Sequence, residues 1–383
     1  FQPAQFSTKR LAVIRIETVE NRIQLREFVR FPLSIYSGGS PWVPPVWRDE
    51  MMRLDRARSP FFEHSDAALF LARDATGDPV GRIAAIRFNR HLEVYDDDVG
   101  FFGFFECVDD ESVAGRLFAA AAEWLRGQGL QRMRGPASFT INEEIGLLIE
   151  NFDEPPTLLT TWNPPYYQRL VESAGLAKAE DLLAREVAFA DLDVRYLERL
   201  AKAGARNGQV TIRRANLAKL ETEVEILMKI YAEAWSENWG AVPISHDEFQ
   251  KLAGDLKPFL LPECTLVAEY DGEPVGICVA VPDINVAVKA CGGRFGPLGL
   301  LRFLLARRRI DLIRGLVAGV LKAHRNKGIE SAFGSRIARA LMDSRYKRIE
   351  FSWMLESNFR VHRVLENSGA KMTKRWRVYE REL

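Results

Sequence analysis

The sequence predicts an α/β protein, a mixed α+β sheet architecture in two tandem domains. Three observations carry this. A strand–turn–strand pattern occurs twice, the order of elements after it also repeats, and 383 residues suit two domains better than one.

In the first half, "LFLARDATGDPVGRIAAIRF" (69–88) reads as two strands joined by a turn at Gly77-Asp78. In the second, "TLVAEYDGEPVGICVAVP" (265–282) does the same around Asp271-Gly272. Val80-Gly81 and Val275-Gly276 open the return strands. A longer helical pattern follows in each half, at 111–129 and 329–346. Short amphipathic helices at 166–176 and 358–370 each end at a glycine, which suits a helix C-terminus. Charged, alternating strands close the halves at 184–192 and 374–382. With "AKAGARNG" (201–208) as linker, the domains are expected at 10–200 and 209–383.

Composition narrows the function classes. Hydrophobic residues make up 47% and charged residues 27%, enough for a sizeable core. A net charge of +1 gives no footprint for general nucleic-acid binding. Cys107, Cys264, Cys278 and Cys291 form no CxxC pair and no zinc spacing, so no metal is expected and a reducing cytoplasm fits. No apolar run has the length of a membrane span, and no signal-peptide core is visible. The chain opens at Phe1 without a methionine, so Phe1 to Lys9 are expected to be remnants of added sequence.

The local signal for chemistry is "HRNKGIE" (324–330), between the apolar run "GLVAGVL" (315–321) and a helical pattern. Unpaired backbone N–H groups at a helix start attract an anion, and the helix dipole adds to that. Gly328 permits close approach of a phosphate, and Arg325 and Lys327 add cationic donors. A solvated helix start is the plainer alternative.

Over 209–383 the chain resembles the GNAT acyltransferase superfamily. The resemblance is carried by Val320, then Arg325-x-x-Gly328-Ile329, the strand "RIEFSWML" (348–355), and Asn358 heading a helix that runs to Gly369. It implies that the loop through Val320, Arg325, Asn326, Lys327, Gly328 and Ile329 holds the pyrophosphate of acyl-CoA, used as co-substrate. It also implies that the preceding strand pairs with the pantetheine arm and that the Asn358 helix flanks the thioester. Two positions depart from the superfamily. Glu330 stands where the loop usually ends in glycine or alanine, and its side chain is expected to point outward. Leu365 stands where many members place a tyrosine that protonates the leaving thiolate. In the first half the corresponding turn is acidic, with Asp109, Asp110 and Glu111, so only the second half is expected to bind CoA. The first half is expected to be a degenerate copy that shapes the acceptor and lipid cleft.

The whole chain is similar to a narrower group, the bacterial ceramide synthases. This rests on "SPWVPP" (40–45), "SFTINEEIGLLIENFDEPP" (138–156), "WNPPYYQRLVESAG" (162–175), "EAWSENWGAVP" (233–243) and "PDIN" (282–285). The resemblance implies direct transfer of a long fatty acyl group from acyl-CoA to the amine of a sphingoid base. The rival readings are an acetyltransferase for a small amine or peptide N-terminus, and a non-catalytic acyl-CoA or lipid sensor.

Amine attack on a thioester calls for a base, worth about 10²–10⁴-fold. Candidates are Glu143 and Glu144, one of them capping a helix, with Asp283 and Asn285 after the hairpin and Glu237 beside Asn238. Each also suits a turn or a cap. An acyl-cysteine route through Cys278 or Cys291 is the minor alternative. Trp239, Tyr166, Tyr167, Trp162 and Phe303 are candidate substrate contacts, although ordinary core is the plainer reading. His246 reads as part of a capping box, His324 as a neighbour of the CoA loop, and His64, His91 and His362 as surface residues. Finally, "GPLGLLRFLLARRRIDLIRG" (296–315) is an insertion that suits a membrane surface, a peripheral hold on the inner membrane, or the cover of an acyl tunnel.

Overall fold

Asp74 closes the first hairpin. Its carboxylate accepts from the N–H groups of Thr76 (2.9 Å) and Asp78 (3.1 Å), and Gly77 takes the positive φ that the turn needs. The second turn is tighter, with Asp271 and Gly272 both at positive φ (52° and 86°), the geometry that matches strand twist. The computed structural model describes residues 13–36, 39–205 and 210–383.

These residues form two units that are not contiguous halves. One holds the described residues up to Leu182, with Ala287–Leu305 and Lys374–Leu383; the other holds Leu183–Val286 and Ala306–Thr373. The chain passes between them because strand pairing, not sequence order, decides membership.

In the first unit the chain runs β1 (Arg15–Thr18), α1 (Arg22–Arg30), α2 (Pro32–Ile35), α3 (Trp47–Arg53), α4 (Phe61–His64), β2 (Asp66–Arg73) and β3 (Pro79–Arg87). It continues through α5 (Asn89–Tyr95), β4 (Val99–Cys107), α6 (Glu111–Gly127), β5 (Arg132–Gly135), β6 (Ala137–Ser138), β7 (Glu144–Ile145), β8 (Leu147–Glu150), α7 (Tyr167–Ser173) and the start of β9 (Ala177–Ala188). The sheet order is β1-β2-β3-β4-β5, followed by the last strand of the chain, whose Tyr379–Glu382 ladders with Gly135–Arg132. Asn21 caps α1 in a capping box with Gln24. The apolar stripe of α6, from Val113 through Leu117 and Phe118 to Leu125, is fully buried on this sheet.

The second unit takes β9 onward: α8 (Val194–Gly204), β10 (Val210–Arg214), α9 (Leu220–Trp235), α10 (His246–Leu256), β11 (Thr265–Tyr270) and β12 (Glu273–Pro282). The excursion α11 (Asn285–Cys291) and α12 (Pro297–Ala306) follows. Then come β13 (Leu312–Val320), α13 (Ile329–Leu341), β14 (Arg348–Leu355), α14 (Phe359–Asn367) and β15 (Lys371–Glu382). The sheet order is β9-β14-β13-β12-β11-β10, with β13 and β14 parallel and the others in the β10–β13 meander antiparallel. Its core gathers Ile313, Ile349, Val320, Ile329, Phe333, Ile337 and Leu197.

Several expectations change. The linker begins later than 201, because α8 is helical through Gly204; residues 206–209 lie outside the described residues, as do Phe1 to Lys9. No helix follows Glu143 and Glu144: the segment turns back as the β6–β7 pair, since Gly146 at φ 84° sits against Trp376 and ends the turn. His91 and His362 are buried rather than on the surface. His91 stacks on Tyr95 and meets Asp97 at 3.1 Å, while His362 pairs its Nε2 with the Leu355 carbonyl at 2.9 Å.

Candidate active site

Each unit contains one parallel strand pair that begins in register and then parts. In the first unit β4 and β5 pair only over Val99–Phe101 and Arg132–Arg134. Beyond that, the unit fills the gap itself. The Ala137 carbonyl lies so close to Gly103 that any Cβ there would overlap it. Phe104, at φ 51°, packs on Phe139 (5.1 Å), and Phe139 stacks on Phe61 (4.2 Å). The turn after β4 is closed to anions as well. Asp110 caps α6 through the N–H groups of Ser112 and Val113, and Arg169 bridges Asp109 and Glu111. Capping carboxylates thus occupy the positions where a phosphate would sit.

In the second unit β13 and β14 pair over Leu312–Gly315 and Arg348–Phe351, then separate. A register shift against β12 takes Leu316 out of the ladder. Past it, Leu316 and Val317 are half-buried and Ala318 is exposed, an apolar strand edge. Separated strand edges leave amide groups for an extended ligand that carries amides of its own. Val320 ends this strand, buried, and the loop follows.

The loop residues fit a pyrophosphate. Asn326 (φ 68°) and Gly328 (φ 72°) are both left-handed, a turn form that aims successive N–H groups into one concavity. Gly328 starts α13, and no side chain caps that end. Lys327 donates to His324 Nδ1 (3.2 Å) and stands 3.8 Å over the Tyr270 ring. Burial, then Lys327, hold His324 below its ordinary pKa. The Arg325 guanidinium is turned to α9, where it donates to the Ala234 carbonyl (2.8 Å) and shapes the loop. Glu330 is exposed, its side chain outward as the sequence predicts. Ile329 is wholly buried and anchors α13, and Asn358 heads α14 without a side-chain cap bond.

Where the strands part, the second unit buries a charged cluster that sequence reading found only in part. Arg314 and Glu350 face each other across the β13–β14 ladder. Ser352 donates to Glu350 Oε1 (2.6 Å), and Arg314 donates from Nε to Ser352 Oγ and from Nη2 to the Ser352 carbonyl, both at 3.1 Å. Asp283, buried just past β12, adds a second carboxylate to the field of Arg314 and accepts from the Asn285 N–H (3.2 Å). Burial draws the Arg314 pKa down to about 10, opposed by Glu350 and Asp283, so it stays charged near neutrality. Its Nη1 is buried without a hydrogen-bond partner. The signal was partial: "DLIRGLV" and "RIEFSWML" place Arg314 and Glu350 among apolar strand residues, but nothing in either run sets them opposite each other.

The other candidates lie elsewhere. Glu237 is 68% exposed and pairs with Lys322 at 2.9 Å, which lowers its pKa and makes it a poor proton acceptor. Trp239, in the loop after α9, is half-buried. Tyr167 belongs to a buried network of the first unit: Glu106 Oε2 accepts from Tyr36 (2.5 Å) and Tyr167 (2.7 Å), while Tyr166 donates to the Cys107 carbonyl. Trp162 donates to the Phe152 carbonyl, and Phe303 is buried beside Phe295. All four cysteines are free and buried, and burial pushes Cys278 up to about 12, which removes its nucleophilic form at neutral pH.

Glu143 and Glu144 share one cluster of the first unit with Glu50 and Arg53. Burial pushes Glu144 up to about 7, with Arg53 opposing and Glu50 and Glu143 adding. The folded state therefore binds more protons than the unfolded chain between the ordinary carboxyl pKa and about 7. Stability should fall as pH rises through that window and level off above it. Glu144→Gln is expected to remove roughly 2–3 kcal/mol of the loss measured by urea unfolding between the two ends of the window. A variant with the wild-type slope would place the titration on another group.

A sheet whose parallel pair separates beside an uncapped helix start, preceded by Arg-x-x-Gly, is the GNAT fold, here in tandem form with one open and one filled copy. Among solved structures, the chain matches a tandem GNAT protein from the clavulanic acid biosynthesis pathway. That match has a TM-score of 0.54 and 11% identity, and it covers 97% of this chain and 98% of that one. It also matches the GCN5-related glucosamine N-acetyltransferase region of a fungal multi-domain GH3 beta-N-acetylglucosaminidase. There the TM-score is 0.58 with 14% identity, over 97% of this chain and 38% of that one. No family model matches. In sequence the chain is 33% identical to Protein YghO of Escherichia coli, over 96% of this chain and 95% of that protein. It is 32% identical to the bacterial ceramide synthase of Caulobacter vibrioides, over 97% and 98%. The chain belongs to the family of these two proteins and has the fold of the GNAT structures.

Proposed function

We propose that this protein transfers a long fatty acyl group from acyl-CoA to the amine of a sphingoid base, forming a ceramide-type amide by direct attack. The observation that carries the reading is the separation of β13 and β14, with the loop at one end and the Arg314–Glu350 cluster at the other. Near-full-length similarity to a bacterial ceramide synthase supports the acceptor class. In this reading the loop amides and Lys327 hold the pyrophosphate, and the edge of β13 holds the pantetheine. Glu350 or Asp283 takes the proton from the acceptor ammonium. The free amine attacks the thioester carbon, and the amide of the bulged residue Leu316 donates to the carbonyl oxygen as it gains charge. The C–S bond then breaks and its electron pair leaves on the CoA thiolate, which is stable enough to depart without the tyrosine that Leu365 replaces, and the second proton on the acylated nitrogen passes to that thiolate or to solvent, leaving a neutral amide. Arg314 Nη1 offers a donor to the oxygen that a sphingoid base carries next to its amine-bearing carbon.

The test is thiol release from acetyl-, palmitoyl- and longer acyl-CoA, with and without a sphingoid amine, with the product identified by mass spectrometry. Amine-dependent release restricted to long chains is expected. Release confined to acetyl-CoA would overturn the lipid reading, and no release with any chain would leave a sensor.

A further inference from the structure

The insertion between the hairpin and β13 exposes what most proteins bury. In α12, Leu298, Leu300, Leu301, Leu304 and Leu305 are each between 45% and 61% exposed, and Phe295 just before the helix is 45% exposed. At about 100° per residue these leucines fill one continuous arc of roughly 160°. Phe303 and Ala306, on the opposite side, are buried and fix the helix to the protein. The arrangement is therefore an anchored helix with its broad apolar face turned to solvent.

Charge identifies the occupant. From Ile284 through Ile310 the sequence has no acidic residue. Arg294, Arg302, Arg307, Arg308 and Arg309 are all exposed, flanking the leucine face at both ends and along one side. A second protein copy would have to match five like charges around its apolar contact, whereas an anionic bilayer matches them with any of its headgroups. No helix among the described residues is long and apolar enough to cross a membrane, so the mode is interfacial. The backbone around the insertion is tied down: Trp47 donates to the Gly292 carbonyl (2.9 Å), Lys289 donates to the Ser40 carbonyl (2.7 Å), and the Pro45 carbonyl fills the space beside Gly293. The helix is thus presented on a fixed base and loses little freedom on docking.

We propose that α12 and Arg307–Arg309 form an interfacial docking element for an anionic lipid bilayer. The leucines enter the acyl boundary, and the arginines meet the lipid phosphates. This goes beyond the acyl-transfer reading and needs no substrate, so its failure would leave that reading untouched.

The experiment is co-sedimentation of the full chain with vesicles of phosphatidylcholine alone and of phosphatidylcholine with about one third phosphatidylglycerol, at low and high salt, with solution mass measured in parallel. Binding is expected to be at least about tenfold tighter to the anionic vesicles and to weaken with salt. Leu301→Glu/Leu304→Glu should abolish it. Arg307→Gln/Arg308→Gln/Arg309→Gln, at three exposed positions, should erase the preference for anionic lipid. Matched melting temperatures certify the fold of each variant. No binding to either vesicle would overturn the proposal. So would a wild-type dimer that the leucine variant converts to monomer, since the face would then belong to a second copy.

Discussion

Gly328→Val is expected to lower affinity for CoA by at least ~100-fold, about 2.7 kcal/mol, and to cost roughly 2–4 kcal/mol of stability. Two independent effects converge at this residue. Its φ of 72° is a left-handed conformation that costs an L-residue about 1–2 kcal/mol. A Cβ would also stand 2.6 Å from the Leu200 carbonyl oxygen and 2.8 Å from Ala201 Cα, both backbone atoms of α8 that have nowhere to go. From the other side, Gly204 of α8 lies against Lys327 and Gly328 with no room for a side chain. The loop is held against α8, so relief of the clash must move the loop, and with it the amides proposed to hold the pyrophosphate. Gly272→Ala is the control. Its φ of 86° carries similar strain, but nothing lies within 4 Å of a Cβ there, so only the strain should appear and CoA affinity should hold. Calorimetric titration with CoA, beside thermal unfolding, separates the two effects. A folded Gly328→Val protein with wild-type CoA affinity would remove the loop from the site.

What the sequence showed and what it hid follow from the range of the interactions. The hairpin turns were legible because Asp74, Gly77, Asp271 and Gly272 act within four residues of one another. The turn from Arg325 to Gly328 before α13 was legible for the same reason, since its residues lie in one run. The Ser245 capping box is likewise local, and it forms with Glu248. The division into units was not legible, because the last strand joins the first unit through a ladder between residues more than 240 positions apart. The Arg314–Glu350 pair was hidden by the same long-range register. Glu143 and Glu144 misled for a local reason: two glutamates before an apolar run resemble a helix start, but the tertiary packing of Gly146 and Ala137 forces a turn. The insertion carrying α12 was legible because Leu298, Leu300, Leu301, Leu304 and Leu305 crowd into eight residues next to three arginines, a departure from the balance of a surface helix.

Glu350→Gln should reduce the rate of amine-dependent thiol release by about 10²–10⁴-fold while leaving CoA affinity unchanged. The substitution keeps the volume and the hydrogen bond from Ser352, and removes the ability to take a proton together with one of the two carboxylate charges that oppose the burial of Arg314. Arg314→Met would be less informative. It withdraws the buried guanidinium from Glu350 and Asp283 together, and breaking such a cluster costs ~3–5 kcal/mol, so a fall in activity would merely report unfolding. The decisive readout is therefore pH rescue. The fraction of acceptor present as free amine rises tenfold for each pH step below its pKa, so an enzyme that has lost its base should recover rate as pH increases. An enzyme that has lost only packing should not. Asp283→Asn provides the comparison within the cluster, because its carboxylate also lies in the field of Arg314. If Glu350→Gln keeps activity within about threefold of wild type and Asp283→Asn is the variant rescued by alkaline pH, the proton acceptor is Asp283. Glu350 then holds Arg314 in place, for Arg314 Nη1 to reach the acceptor oxygen.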